Sequence, residues 1–406
     1  MFTNSGYLVA NITALLAINA ANRPTFKVAL LVAGLGWYEY DNTATTGGLT
    51  PTDNPSTGRW FPIGAGSLFW TTSTRPALPT LGMQGYNTTT RKTEYFVNGT
   101  WVTGVFGLDS GLSYSISSLL TIAVGANPQA IAYSSSNDRI YVTNINSNDV
   151  SVINPTTNTV VATIAVGTNP QGIAYLSIND RIYVVNNGSN NVSVINPTTN
   201  TVVATIVVGS NPRGIVYSSL SNKIYVTNVG SNDVSVINPT TNTVVATIVV
   251  GANPDGIGYC FSNNRAYVAN ISSNNVSVIN SSTDAVVATI TVGTQPRAID
   301  YSPSNNCVYV ANASSNNVSV IDPNTNTVVG TIAVGTAPYG VSYSPSNNRI
   351  YIANQTSNNV SVIDPNSNTV IATVSVGSSP YRLGHCPSNG RIYVPNQASN
   401  NVSVLS

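Results

Sequence analysis

The chain has 406 residues, a formal net charge of +1 at pH 7, 7% charged residues and 42% hydrophobic residues. Soluble domains carry about 25% charged residues, so Asn, Ser and Thr supply most of the polarity of this chain. Residues 1–112 contain six Lys or Arg and five Asp or Glu, and residues 113–406 contain nine of each. Nucleic-acid binding requires a concentrated basic surface, so this charge balance predicts no nucleic-acid partner.

The first residues lack the pattern of a targeting segment. The apolar stretch of residues 8–16 is interrupted by Asn11 and follows no basic residue, unlike a secretory signal peptide. The apolar run of residues 27–35 is shorter than the roughly 20 residues that a membrane-spanning helix needs. We therefore expect no export signal and no membrane insertion.

Aromatic residues are concentrated in residues 1–112, which hold all four Trp and six of the seven Phe. Residues 36–48 and 54–63 predict two aromatic strands joined by a loop of small residues. The aromatic strand that ends at Asp41, the Thr/Ala/Gly loop and the Gly-Arg-Trp strand resemble the N-terminal attachment modules of phage tail fibres and tailspikes. An unrelated small aromatic β-domain is the alternative.

A second segment, residues 85–102, contains an Asn-Thr-Thr turn, a Glu-aromatic strand and a Gly-Thr-Trp hairpin. It is similar to a short β-module of phage fibres. Together the two resemblances imply an attachment-like β module in residues 1–70 and a short β module or connector in residues 71–112. Residues 1–25 match no motif.

A 42-residue repeat occupies the rest of the chain. Its markers are Gly125, Gly167, Gly209, Gly251, Gly293, Gly335 and Gly377; Pro128, Pro170, Pro212, Pro254, Pro296, Pro338 and Pro380; and Tyr141, Tyr183, Tyr225, Tyr267, Tyr309, Tyr351 and Tyr393. Each unit has four β-rich runs between turn residues, which in the second unit are residues 172–175, 181–185, 192–195 and 201–208. Four strands in about 42 residues is the pattern of one propeller blade.

The register of the repeat also predicts how the ring closes. Ser406 aligns with Asn196, so the last unit ends after its third strand, while residues 117–124 match a fourth strand. We therefore predict an all-β fold with a seven-bladed β-propeller over residues 113–406. Residues 117–124 would complete the last blade and remove its free sheet edge.

The units share motifs with a known family. Tyr-Val-Thr-Asn stands at residues 141–144 and 225–228, and Tyr-Val-Ala-Asn at residues 267–270 and 309–312. With Val-Gly-x-x-Pro and Asn-x-Val-Ser-Val-Ile, the units resemble the YVTN-repeat β-propellers. The resemblance implies the fold, but such propellers occur in surface-layer proteins, enzymes and scaffolds, so it implies no function.

Residue types that catalyse reactions or bind metals are sparse in the repeats. The one histidine, His385, replaces a first-strand tyrosine and is interpreted as a core substitution. Cys260, Cys307 and Cys386 lack the spacing of a disulfide framework or a zinc site, and we interpret them as small core or edge residues. We predict no catalytic residue, no cofactor and no metal, and hence no enzyme.

Basic residues recur where the second strand of each unit begins. They are Arg139, Arg181, Lys223, Arg265, Arg349 and Arg391, with Cys307 as the exception. Because the position is so regular, we interpret these side chains as structural, bonding a local carbonyl or the preceding Asp.

The position after the repeated proline is irregular. It holds Gln129, Gln171, Arg213, Asp255, Arg297, Tyr339 and Tyr381, and the next residue is Gly or Ala in six units but Arg382 in the seventh. Placed on exposed loops at one end of the propeller, these positions predict a receptor-binding patch, since Arg and Tyr are enriched at binding hot spots. The predicted patch consists of Arg213, Arg297, Tyr339, Tyr381 and Arg382. Sequence drift on an exposed loop is the alternative.

The resemblances and the composition together predict a phage virion structural protein, a tail fibre or receptor-binding protein located in the virion. Residues 1–112 would bind other tail or baseplate proteins, and the propeller would contact a host-surface glycan or protein. A homotrimer is implied by the fibre resemblance. The alternatives are a prokaryotic cell-surface or surface-layer adhesin and, third, a propeller lactonase- or lyase-type enzyme.

Overall fold

The computed structural model describes residues 118–406 throughout and, before them, seven short strands. The chain divides into two compact units, Met1–Leu112 and Ser113–Ser406. The interpretation of residues 1–25 lies outside the described residues. In the described part of the chain, no helix has the length and apolar character needed to cross a bilayer.

The described strands of the first unit form two sheets. They are β1 (Val28–Val32), β2 (Gly36–Tyr40), β3 (Trp60–Ile63), β4 (Leu68–Trp70), β5 (Gln84–Asn87), β6 (Lys92–Val97) and β7 (Thr100–Gly104). One sheet is antiparallel in the order β1-β2-β3, and the other has the order β4-β5-β6-β7 with β4 parallel to β5. The pairs β2–β3 and β6–β7 agree with the two predicted aromatic β segments.

The second unit is a ring of seven four-stranded antiparallel sheets. Blades one to three consist of β9 (Pro128–Ser134), β10 (Arg139–Asn144), β11 (Asp149–Asn154), β12 (Thr159–Ala165), β13 (Pro170–Leu176), β14 (Arg181–Asn186), β15 (Asn191–Asn196), β16 (Thr201–Val207), β17 (Pro212–Ser218), β18 (Lys223–Asn228), β19 (Asp233–Asn238) and β20 (Thr243–Val249). Blades four to six consist of β21 (Pro254–Cys260), β22 (Arg265–Asn270), β23 (Asn275–Asn280), β24 (Ala285–Thr291), β25 (Pro296–Ser302), β26 (Cys307–Asn312), β27 (Asn317–Asp322), β28 (Thr327–Ala333), β29 (Pro338–Ser344), β30 (Arg349–Asn354), β31 (Asn359–Asp364) and β32 (Thr369–Ser375). Blade seven consists of β33 (Gly384–Cys386), β34 (Arg391–Asn396), β35 (Asn401–Leu405) and β8 (Ser118–Ala123).

Blade seven confirms the predicted ring closure. β8 is its outermost strand and pairs antiparallel with β35, with Ala123 opposite Asn401 and Ile122 opposite Val402. Ile122 is buried in a cluster that also contains Val142 of blade one. The first strand of the propeller thus joins the last blade and packs against the first, so the ring closes without an unpaired edge at β35.

Tight turns between the strands account for the abundance of Asn. Within residues 118–406, 26 non-glycine residues have a positive φ of 50° to 59°, and all but Gln295, Ala337 and Ser379 are Asn or Asp. These two residue types adopt the left-handed region most readily after glycine. Four such turns per blade therefore account for the high Asn content of the propeller.

The core lies between neighbouring blades. The second and third strands of each blade are buried almost completely, whereas the fourth strands are largely exposed. The hydroxyl group of the fully buried Tyr183 accepts a hydrogen bond from Asn179 Nδ2 (2.9 Å) and donates one to Asn242 Oδ1 of the next blade (3.0 Å). The tyrosine of the Tyr-Val-x-Asn motif therefore ties adjacent blades together.

Candidate functional site

The irregular position after the repeated proline lies at one end of the central channel. The residues concerned are the second residues of the innermost strands β9, β13, β17, β21, β25 and β29, and Tyr381 just before β33. Because all these strands start at the same end of the ring, the seven side chains surround one opening. We call this set, together with Arg382, the channel mouth.

Asp255 is the centre of the channel mouth. Its side chain is only 1% exposed and forms ion pairs with three arginines from three other blades. Arg382 Nη2 lies 2.5 Å from Oδ1, Arg297 Nη1 lies 3.2 Å from Oδ2, and Arg213 Nη1 lies 3.8 Å from Oδ2. Arg382 reaches across the channel from blade seven to blade four, so this cluster spans the opening.

Two tyrosines stand beside these arginines. The Tyr339 and Tyr381 rings have their centroids 5.0 Å apart at an interplanar angle of 38°. The Arg297 guanidinium carbon lies 4.6 Å from the centre of the Tyr339 ring, and that of Arg382 lies 6.0 Å from the centre of the Tyr381 ring. Both arginines are thus held between a carboxylate and an aromatic face, an arrangement that favours the cation on both sides.

The cluster shifts the ionisation of its members. Burial acts to raise the pKa of Asp255, but Arg382, Arg213 and Arg297 outweigh it and hold the pKa below its usual range. Burial, reinforced by the Asp255 carboxylate, raises the pKa of Tyr381 to about 12. At neutral pH Asp255 is therefore a carboxylate and Tyr381 is neutral.

Close packing of the innermost strands explains why the counterparts of Arg382 in the other blades are Gly or Ala. A Cβ atom on Gly214 would lie 2.3 Å from the carbonyl oxygen of Asp255, and one on Gly256 would lie 2.0 Å from that of Arg297. Neighbouring innermost strands therefore approach too closely for a larger side chain. In blade seven the regular strand begins only at Gly384, and the Arg382 N–H donates to the carbonyl of Gln129 in blade one (3.1 Å).

Behind the channel mouth lies a narrow cavity of about 120 Å³. Arg382 lines it at the charged end, and the rest of the lining is small or aliphatic. The other lining residues are Ala130, Ile131, Gly172, Ile173, Gly214, Ile215, Gly256, Ile257, Ala298, Ile299, Val341 and Leu383. At the share of about 30 Å³ that each water has in the liquid, this space holds about four waters.

The structure brings all five predicted patch residues together but corrects their placement. They do not stand on exposed loops: Tyr381 is 7% exposed, and the Arg297 and Arg382 side chains are 14% and 15% exposed. The expectation of freely exposed side chains is therefore wrong. What sequence reasoning missed is the part played by Asp255, the one acidic residue at the irregular position, on which the three arginines converge.

Three of the regular basic residues at the start of the second strands, Arg139, Arg181 and Arg349, bond a local carbonyl as predicted. Arg139 Nη1 donates to the carbonyl of Asp138 (2.7 Å), and Arg181 Nη1 donates to that of Asp180 (2.7 Å). Lys223 instead forms an ion pair with Asp284 of the next blade at 2.7 Å. Since the second strands run antiparallel to the first strands, these basic residues lie at the end of the propeller opposite the channel mouth.

Blade seven differs from the other six blades at His385 and at a second position that contacts it in those blades. In the other six units a first-strand tyrosine donates to an Asp or Asn five residues later, as Tyr133 does to Asp138 (3.1 Å). In blade seven that later position is Gly390. His385 Nε2 instead lies 2.8 Å from Ser346 Oγ of blade six, and burial lowers the pKa of the imidazole. The interpretation as a substitution for the strand tyrosine agrees with this arrangement.

The remaining candidates show no reactive grouping. Cys260 and Cys386 are buried and Cys307 is half-buried, all three as free thiols. In the part of the chain that the structure describes, no group of three or more His, Cys, Asp or Glu has the arrangement of a metal site.

One further carboxylate, Asp300 in β25, stands apart from the channel mouth. Its Oδ2 accepts a hydrogen bond from the Tyr343 N–H of blade six (2.8 Å), and its Oδ1 accepts one from the Tyr301 N–H (2.8 Å). Burial raises the pKa of Asp300 to about 6, although these two hydrogen bonds act to lower it.

Comparisons with known proteins agree with this architecture. The YNCE-like beta-propeller family matches residues 304–405. This match supports the β-propeller fold. Among solved structures, a chain described as Kuenenia stuttgartiensis hydrazine synthase is 21% identical with a TM-score of 0.63, covering 68% of this chain and 95% of that chain. At this identity the likeness shows the fold alone. A search of curated proteins returned no match.

Proposed function

We propose that this chain is a phage tail fibre or receptor-binding protein whose propeller attaches to the host surface through the channel mouth. Residues 1–112 attach it to other tail or baseplate proteins. The observation that carries this proposal is the convergence of three arginines and two tyrosines, contributed by four blades, around Asp255.

This convergence favours recognition over catalysis. Arg and Tyr dominate binding hot spots because they supply planar hydrogen-bonding and stacking surfaces. A general acid or base needs a pKa near the working pH, whereas the arginines hold the pKa of Asp255 below its usual range. We therefore propose a binding role in which no residue of the channel mouth performs chemistry.

The attachment role of residues 1–112 rests on the aromatic motifs of that part of the chain and on the strands that contain them. The pairs β2–β3 and β6–β7 are the described portions of those motifs. The low charge and the uncharged turn chemistry of the propeller suit a protein exposed outside the cell. A homotrimer is proposed by analogy with fibres, and light scattering of the purified full-length chain measures it.

The decisive experiment determines whether the protein is part of phage particles or of the cell envelope. Peptides of this chain are sought by mass spectrometry in purified phage particles and, in parallel, in cell envelopes of the producing culture. We expect peptides from both units in the particles. We also expect antibodies against residues 113–406 to decorate the tail and to block adsorption to host cells.

Antibodies against residues 1–112 are the matched control, because an attachment region within the tail should be shielded and its antibodies should leave adsorption unchanged. Peptides found in envelopes and absent from particles would overturn the proposal in favour of a cell-surface adhesin. Particles that adsorb normally with the propeller covered by antibody would place the host contact elsewhere.

A further inference from the structure

The channel mouth carries an unbalanced charge. Three guanidinium groups lie within 3.8 Å of one carboxylate, and the other residues of the mouth are Gln and Tyr. The local charge is therefore +2 in a propeller that has nine basic and nine acidic residues in all. Like charges so close together are costly in a partly buried site unless further anions compensate them.

Hydrogen-bond donors are also in excess. Each guanidinium has five N–H donors, whereas one carboxylate offers about four acceptor positions. The Nε atoms of Arg213 and Arg297 are buried and have no hydrogen-bond partner among the described residues. The guanidinium group of Arg213 has the 3.8 Å ion pair with Asp255, which is too long for a hydrogen bond. The site thus has positive charge and N–H groups that its own residues do not satisfy.

Arg213 marks the side from which a ligand can approach. Its side chain is 28% exposed, about twice the exposure of Arg297 or Arg382. Arg382 and Arg297 are anchored by Asp255 and by the tyrosine rings, so their geometry is set before a ligand arrives. A preorganised site with one adjustable arginine is well suited to bind a group with two or more oxygens.

We propose that the channel mouth binds an oxyanion, the carboxylate or phosphate group of an acidic glycan. Arg213 contacts this group directly, Arg297 and Arg382 supply the adjoining positive charge, and Tyr339 offers an aromatic edge to the sugar ring. The assignment of this glycan to the host surface rests on the proposed function, whereas the oxyanion site itself rests on the geometry alone.

Calorimetric titration of the purified full-length chain tests the site. The probes are galacturonate, inorganic phosphate and, as the neutral counterpart, galactose, each at low and at high NaCl. We expect at least one of the two anions to bind, galactose not to bind, and high salt to weaken binding because it screens charge. Binding of galacturonate alone assigns the group to a uronic-acid type, and binding of phosphate alone assigns it to a phosphorylated glycan.

Arg213→Gln should weaken binding of that anion at least fivefold. Arg181→Gln is the matched control, because it makes the same change in net charge at the opposite end of the propeller and should leave affinity unchanged. Equal binding of galacturonate and galactose, absence of binding by both anions, or equal weakening by the two variants would overturn the oxyanion site. These outcomes leave the particle and antibody experiments untouched, so the two proposals fail separately.

Discussion

Replacing Asp255 with Asn removes the carboxylate shared by three arginines while keeping the side-chain shape. Two hydrogen bonds to a charged acceptor, worth about 1.5–3 kcal/mol each, become bonds to a neutral amide, worth about 0.5–1.5 kcal/mol. The longer ion pair with Arg213, which is partly exposed, adds less than about 1 kcal/mol because solvent screens it. We expect the free energy of unfolding to fall by about 2–4 kcal/mol.

Differential scanning calorimetry of the full-length chain measures this loss. For a propeller of this size, about 1 kcal/mol shifts Tm by roughly 2 °C, so the propeller transition should fall by roughly 4–8 °C. Asp138→Asn is the matched control because it makes the same chemical change in a turn where other units carry Asn222, Asn264, Asn306 and Asn348. We expect it to change stability by less than about 0.5 kcal/mol.

The acid dependence gives an independent measure. The pKa of Asp255 is lowered in the folded state, so its stabilising contribution is fully present above the unfolded-state pKa of about 3.9. It is lost as pH falls through the lower, folded-state pKa. The difference between wild type and Asp255→Asn should therefore shrink at strongly acidic pH. A variant that melts within 1 °C of wild type at pH 7 would refute the view that this carboxylate holds the channel mouth together.

Three further changes test other parts of the propeller. Replacing Ser118–Ala123 with a Gly/Ser linker of equal length exposes the edge of β35. Tm should therefore fall by more than about 10 °C, and light scattering should show association of the variant. A monomeric variant with unchanged Tm would contradict ring closure. Asp300→Asn replaces one of two oxygens that accept from backbone N–H groups with an amide donor, so it should be less stable than wild type at pH 4. The carboxyl group, with a folded-state pKa of about 6, binds its proton more tightly when folded, so wild-type stability falls as pH rises through about 6 and the deficit of the variant should shrink; parallel pH profiles would refute this. His385→Tyr combined with Gly390→Asn should restore the tyrosine hydrogen bond that the other blades have. A double-mutant cycle should then show a favourable coupling free energy of about 0.5–1.5 kcal/mol, whereas additive effects would show that the two positions are independent.

The number of blades and the closure of the ring were predictable from the sequence because both follow from register. Seven copies without an insertion define seven equivalent units, and the alignment of Ser406 with Asn196 shows which strand is missing. The turns were predictable for a similar reason, since Asn and Asp recur where the chain must adopt a positive φ. These properties depend on local sequence and on counting.

The arginines and tyrosines of the candidate site were also predictable, although the part of Asp255 was missed, because the irregular position stands out against a constant background. The geometry of the site was not. Sequence gives the order of Arg213, Asp255, Arg297 and Arg382 along the chain, but their contact depends on the ring, which brings Arg382 across the channel to Asp255, a residue 127 positions earlier. Exposure was misjudged for the same reason: a position that follows a turn residue in sequence begins a buried innermost strand in the folded propeller.

By itself, the sequence determined an all-β chain with seven equivalent blades, a last blade completed by the first strand of the propeller, and one irregular position per blade. Period and alternation are local properties of the chain. Only the tertiary structure decided that three arginines share one buried carboxylate. Charge–charge interactions depend on distance and burial in space, and the close approach of neighbouring innermost strands, which excludes a Cβ at Gly214 and Gly256, sets both.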